Sequence, residues 1–280
     1  MIKAAISDVV ARLAPIYWQR RAWKRHFADL RGSFHEPELH VAPFLCDRKK
    51  TSIDIGASEG IYTAHIIDAS RDCWAFEPRP PQALRLREMV RCLSLPVRVE
   101  AVALSDTGGE AKLRVLERDE GRSTIERDNP LEASERTVRH EITVPTQRLD
   151  DYELGAVGFL KIDVEGHELA VLRGGLATIR RCLPTILIEI EERHKPNSVY
   201  KVSNMLEILG YEGYFILGRK LVSIDQFDVT RHQDTRNIGD WESNWKRYGV
   251  YINNFFFAHG KSRYLLEAAV ANIEAKLSDI

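Results

Sequence analysis

The stretch FLKIDVEGHELAVLRGG, residues 159–175, changes character twice. Residues 159–162 read as a buried strand, residues 164–166 as a turn, and the rest as an amphipathic helix that stops at the Gly174-Gly175 pair. A strand that passes through a tight turn into a helix is the unit from which parallel α/β sheets are built. The same turn crowds Lys161, Asp163, Glu165, His167 and Glu168 together. Ionisable groups are costly in an apolar interior unless they are paired or used. The turn therefore bears on both the fold and the site.

On either side the pattern repeats. Apolar runs stand at 51–57 (TSIDIGA), 72–77 (DCWAFE), 97–104 (VRVEAVAL), 185–190 (TILIEI), 211–217 (YEGYFIL) and 253–259 (NNFFFAH). Helical segments such as QALRLREMVRCL fit between most of them, as crossovers between parallel strands require. The rhythm breaks over 105–157, where EAKLRVLE and TVRHEITVPTQ alternate like antiparallel strands around the polar loop GRSTIERDNPLEASE. The expectation is a β-hairpin inserted over the face of the sheet. The chain divides into an N-terminal helical extension (1–45), an α/β domain (46–260) that contains the insertion, and a closing helix (261–280).

The 280 residues are 44% hydrophobic, enough for one large core, and carry a net charge of −1. Balanced charge gives no global steering toward nucleic acid or membrane. Residues 1–32 depart from that balance, with Lys3, Arg12, Arg20, Arg21, Lys24, Arg25 and Arg31 against Asp8 and Asp29, and with Tyr17, Trp18, Trp23 and Phe27 among them. Either this helix packs its aromatics on the domain and turns its bases to water, or it touches an anionic lipid or substrate. No run approaches the ~20 apolar residues of a membrane span, and the N-terminus lacks a secretory h-region. The cysteines (Cys46, Cys73, Cys92, Cys182) form no C-x-x-C pair and read as reduced thiols. The expected location is the cytoplasm, with peripheral membrane contact through 1–32 as an open alternative.

In open α/β sheets ligands sit beyond the carboxyl ends of the strands. Asp54, Gly56 and Gly60 form D-x-G-x-x-x-G after the first strand. Gly56 permits a tight turn and close backbone approach to a ligand, and Gly60 opens a helix whose N–H groups can receive an anion. Glu77 ends the second strand, where an acid can accept both hydroxyls of a ribose. The G-x-G-x-x-G of dinucleotide sites is absent, as is the Y-x-x-x-K pair of short-chain dehydrogenases. S-adenosyl-L-methionine has a ribose and a carboxylate but no phosphate, and it suits this pattern.

The motifs DIGASEGIYT, FEPRP, ALSDTGG, the LDD at 149–151 and LKIDVEGHELAVLRGG, in that order, resemble the FkbM family of S-adenosylmethionine-dependent methyltransferases over about residues 50–195. The resemblance implies a class I methyltransferase fold. This is a Rossmann-like α/β sheet of seven mostly parallel strands, the last antiparallel, with helices on both faces. It implies S-adenosyl-L-methionine as cofactor and O-methylation of a hydroxyl on a small-molecule or glycan acceptor, of carbohydrate or polyketide type. Carried over, Gly56, Ala57, Ser58, Glu59 and Gly60 hold the methionine end and Glu77 the ribose, with Asp54, Tyr62 and Pro78 as further cofactor-binding positions. Val102, Ala103 or Asp106 borders the adenine. Two departures are Ser58, where the family usually has Asn, and MVRC in a helix that tends to carry Asn.

Alternation sends Lys161 and Asp163 to one face and Leu160 and Ile162 to the other. Asp163 is expected to orient the cofactor ammonium, and Lys161 to pair with Asp163 or another acid. Glu165 either caps the next helix or faces the substrate. Glu168 suits the helix dipole. His167 is either a general base kept neutral by the helix end or a surface histidine. Glu189, Glu191 and His194, after the fifth strand, are further candidates for acceptor binding or proton removal. The Asp, Glu and His side chains near Asp163 leave a divalent metal such as Mg²⁺ as a minor alternative, but no H-x-H or H-E-x-x-H spacing supports it. A nucleic-acid methyltransferase would use the basic N-terminus, but no NPPY-type tetrapeptide is present and no nucleic acid is expected. A catalytically inactive binding module would have no need of Asp54, Gly56, Glu77 and Asp163 together.

Overall fold

The computed structural model describes residues 2–32, 36–116, 123–127, 129, 139–239, 247–260 and 262–277. Its strands are β1 (Thr51–Ile55), β2 (Asp72–Phe76), β3 (Val97–Glu100), β4 (Ala103–Leu104), β5 (Gly109–Leu116), β6 (Arg139–Gln147), β7 (Val157–Ile162), β8 (Thr185–Glu189), β9 (Tyr211–Leu217), β10 (Lys220–Ser223) and β11 (Asn254–His259). Its helices are α1 (Ile2–Gly32), α2 (Pro37–Leu45), α3 (Ile61–Ile66), α4 (Pro80–Leu93), α5 (Glu168–Gly174), α6 (Leu176–Cys182), α7 (Ser198–Glu207), α8 (Val229–His232) and α9 (Arg263–Leu277).

The main sheet has the order β10-β9-β11-β8-β7-β1-β2-β3. The strands from β3 through β2, β1 and β7 to β8 are parallel, and β11 runs antiparallel between β8 and β9. This is a class I methyltransferase fold, with β11 as the reversed strand inserted between β8 and β9. β10 is an eighth strand beyond the expected seven, paired antiparallel with β9. Its four residues are only partly buried or exposed, too short and too shallow for an alternation to be legible.

The run at 97–104 also differs from expectation, being two strands. β3 ends at Glu100 in the main sheet, whereas β4 pairs with β6 in a second sheet completed by β5. Buried Val97 and Val99 alternate with Arg98 and Glu100 in β3, and buried Val102, Ala103 and Leu104 follow, so the apolar character runs on while the backbone changes sheets. The insertion therefore has its own small core around Ala103, Leu113, Val115 and Val144. Most of the polar loop at 121–135 lies outside the described residues.

Alternation along the strands divides the main core. Phe159, Leu187 and Phe256 face Ala83 and Leu86 of α4 and Leu266 of α9. Leu160, Ile186, Ile188 and Phe255 face Val171 of α5, Ile179 of α6 and Val202 of α7. The C-terminal part of α1 joins the first layer through Trp23, Phe27 and Leu30. Asp150 of the LDD motif accepts the Ala177 and Thr178 N–H groups at 2.9 and 2.8 Å. It thus satisfies the open donors at the start of α6.

Two glycines are required by close backbone crossings. A Cβ on Gly56, at φ +80, would stand 1.8 Å from the Asp163 carbonyl oxygen. The close approach expected of Gly56 is to a ligand; the backbone that it admits here is the end of β7. A Cβ on Gly174 would stand 1.9 Å from the Ser105 carbonyl oxygen, so α5 lies directly on the ALSD turn. Gly174→Ala should cost roughly 1–3 kcal/mol through overpacking, read as a lower urea midpoint with unchanged slope. Gly32→Ala, with nothing within 4 Å, should stay within about 0.5 kcal/mol of the parent.

Candidate active site at the carboxyl edge of the sheet

A cleft of about 230 Å³ opens where β1, β2 and β7 end, and the insertion forms its far wall. Gly56, Ser58, Glu77, Pro78, Val102, Ala103, Asp163, Glu165 and His167 line it, with Ile55, Phe76 and Leu113 and with Ser123 and Ile125 of the insertion. The β1 turn is held by its neighbours. Gly56 and Ala57 donate N–H bonds to the Phe76 carbonyl at 2.9 and 3.0 Å, and the Asp163 N–H donates to the Ile55 carbonyl at 2.9 Å.

Glu77 is buried at the end of β2 and its carboxylate is well supplied with donors. Oε2 accepts from the Ser58 N–H at 2.8 Å, and Oε1 from the backbone N–H and Nε of Arg79 at 2.9 and 2.8 Å. Arg79 Nη2 lies 3.3 Å from Oε2 and donates to Ser58 Oγ at 3.0 Å. The sequence reading missed Arg79. Its signal was a guanidinium two residues after an acid in a turn too short to carry both charges to water.

Asp54 stands behind the lining. Burial pushes its carboxyl up to about 6, and it accepts from Thr63 Oγ1 at 2.6 Å, tying the end of β1 to α3. Ala57 belongs to the core. Glu59 turns outward to Arg85 at 3.2 Å. Gly60 precedes α3 with φ +88. Asp106 is exposed and outside the lining.

At the end of β7, Lys161 is fully buried. Its Nζ lies 3.9 Å from both Asp163 Oδ2 and Glu189 Oε2. It also donates to Asn254 Oδ1 at 3.2 Å and sits 4.7 Å from the ring centroid of Tyr62. Tyr62 is thus a packing partner of the buried cation. Asp163 keeps 34% of its side chain exposed, toward the cleft.

Glu165 adopts a left-handed φ of +52. Its carbonyl accepts from Thr124 Oγ1 at 2.7 Å and Asn129 Nδ2 at 2.8 Å, and its Oε2 lies 3.1 Å from His194 Nδ1. His167 has both ring nitrogens engaged, Nδ1 with Glu126 Oε1 at 2.6 Å and Nε2 with Ser105 Oγ at 2.9 Å. The hydrogen bond with His167, helped by Lys195 at 3.0 Å, holds the Glu126 carboxyl at about 2. Glu168 is buried and accepts the Gly166 N–H at 2.7 Å.

Glu165, Glu191 and His194 bring one ligand atom each within 4.8 Å of the others, a spacing open to a divalent cation. Arg193, however, binds both oxygens of Glu191 at 2.6 and 2.9 Å, and Tyr251 donates to the same carboxylate. The guanidinium already supplies the positive charge that a metal ion would bring.

A doubly wound sheet with a reversed strand between β8 and β9, carrying an acid-lined cleft at its carboxyl edge, defines a methyltransferase fold. The methyltransferase FkbM domain matches residues 54–216, and the chain belongs to that family. No curated protein matches it. Among solved structures it is similar to a methyltransferase FkbM from Methylobacillus flagellatus KT, at 15% identity and a TM-score of 0.48. That alignment covers 75% of this chain and 44% of the Methylobacillus protein. The Streptococcus mutans protein SMU.1697c, solved in complex with SAH, aligns over 80% of this chain and 98% of its own at 9% identity and a TM-score of 0.44. An rRNA methylase from Streptococcus thermophilus aligns over 81% and 98% at 9% identity and 0.42.

Burial raises the Glu168 carboxyl from 4.5 to about 7. Between those values the folded state holds a proton that the unfolded chain has released, so stability falls as pH rises through that window. Glu168→Gln mimics the protonated side chain and removes this loss. Its melting temperature, compared with the parent's, should therefore improve from pH 5 to about pH 7 and level off above that. Parallel curves would show that the Gly166 N–H holds Glu168 ionised throughout.

Proposed function

We propose that this protein is an S-adenosylmethionine-dependent O-methyltransferase acting on a hydroxyl of a carbohydrate or polyketide-like acceptor. The observation that carries the reading is the polarity of one cleft, with Glu77 among Phe76, Val102 and Ala103 at one side and Asp163 with Glu165 at the other. That donor set fits the cofactor: a carboxylate for ribose hydroxyls, apolar walls for the purine, and an acid for the ammonium. Bound there, S-adenosylmethionine would supply an electrophilic methyl group on sulfur.

In this reading Glu77 exchanges its 3.3 Å bond from Arg79 for a ribose hydroxyl. Asp163, with Lys161 behind it, orients the cofactor ammonium. Glu165 faces the cleft and takes the acceptor's hydroxyl proton at its carboxylate, while His194, 3.1 Å away, keeps that carboxylate in place. His167 is a positioning residue, since Ser105 and Glu126 already occupy its ring. The apolar wall from Leu113 and Ile125 helps to exclude water. Four free thiols suit a cytoplasmic enzyme.

Calorimetry should show S-adenosylmethionine binding by the intact protein. Glu77→Gln should weaken it by about tenfold or more, the loss of roughly 1.5–3 kcal/mol expected for a charged hydrogen bond. No binding by the folded protein would overturn the assignment. Glu165→Gln should leave cofactor affinity within a few-fold and lower turnover roughly 10²–10⁴-fold, with the O-methyl product mapped by mass spectrometry. Chelation with EDTA should leave turnover unchanged; a loss restored by Mg²⁺ would move the proton-accepting role to a metal at Glu165, Glu191 and His194.

A further inference from the structure

Helix α1 meets the body along one stripe. Within 17–32, Trp23, His26, Phe27, Leu30 and Arg31 are the residues withdrawn from solvent, at the three- and four-residue spacing of a single helical face. Trp23, Phe27 and Leu30 enter the core, and Arg31 bonds the Ala64 carbonyl and Asp68 at 2.7 Å each. Trp23 and His26 also lie beside Glu59 of the turn that borders the cleft.

The face opposite this stripe carries Tyr17, Trp18, Arg21, Lys24 and Arg25, all exposed. Tyr17 is 59% and Trp18 61% exposed. Their rings meet edge to face at 5.5 Å, and the Arg21 guanidinium lies 5.8 Å from the Trp18 ring. Arg31 has an acid; Arg20, Arg21, Lys24 and Arg25 have no carboxylate partner among the described residues. The sequence contains no acid between Asp8 and Asp29.

From this face we infer that α1 binds the surface of an anionic bilayer, independently of methyl transfer. Trp and Tyr are most stable at the headgroup level, with one end dry and the other wet. Unpaired cations beside them are attracted to anionic headgroups, each worth roughly fivefold in partitioning. A nucleic acid would also attract the cations. Residues 2–16 of the same helix, IKAAISDVVARLAPI, are mostly apolar, a composition that an acyl boundary rewards and a phosphate backbone does not. No described helix is long and apolar enough to cross a membrane, so α1 lies on the surface.

The test uses the full chain and vesicle flotation with phosphatidylcholine alone or mixed with phosphatidylserine. The parent should float with the mixed vesicles, remain behind with the neutral ones, and be released by high salt. Arg21→Glu/Lys24→Glu/Arg25→Glu should lower partitioning on the order of a hundredfold, and Trp18→Ala about threefold or more. Unchanged circular dichroism and melting would show that each variant folds. No flotation of the parent with mixed vesicles overturns the inference, as does a charge-reversed variant that floats like the parent. Salt-sensitive RNA binding without flotation assigns the face to nucleic acid instead. Self-association that Trp18→Ala abolishes, again without flotation, assigns it to a second copy of the chain.

Discussion

A single buried cation organises the carboxyl edge of this sheet. Lys161 has no access to water, and an ammonium cannot be left in that state without compensating charge and hydrogen bonds. Compensation comes from four different elements: Asp163 just past β7, Glu189 at the end of β8, Asn254 at the start of β11, and the ring of Tyr62 on α3. Removing any one would weaken the support of the others. Asp163 of the cleft and Glu189 beside it are therefore held at the ends of their strands by a charge that lies beneath them.

The polar layer extends further under the same edge. Ser52 shares a 2.6 Å hydrogen bond with Ser70, and Asp54 accepts from Thr63. On the other face of β1, Ile53 and Ile55 sit in a purely apolar core. The central strands are thus ordinary on one side and chemically loaded on the other. Glycine at 56 lets the two loaded strands close to backbone contact, because no side chain could stand between Ile55 and Asp163.

The second wall belongs to the insertion. Thr124 and Asn129 bond the Glu165 carbonyl, and Glu126 receives His167 and Lys195. These contacts fix the left-handed backbone at Glu165, whose strain would otherwise cost of order 1–3 kcal/mol. They also bring Ser123 and Ile125 onto the cleft. One constellation thereby closes the cleft, orients Glu165 and uses up both nitrogens of His167.

Much of this was legible in the chain itself. Alternation and crossover length determined the parallel sheet, because burial on a strand repeats every two residues whatever lies across from it. The turns after β1, β2 and β7 announced Gly56, Glu77 and Asp163, since glycine and acids at strand ends have few other uses. Partnership was not legible. That His194 stands behind Glu165, and that Ser105 and Glu126 occupy His167, depends on segments as many as 62 residues apart. The break of 97–104 between two sheets was hidden as well, because apolar residues continue through it and a change of pairing partner leaves no mark along the chain. Local sequence determined which groups reach the carboxyl edge, through periodicity and turn chemistry. Tertiary structure alone decided which of them are satisfied by one another and which still face the cleft, because hydrogen bonds and charges are paired in space and not along the chain.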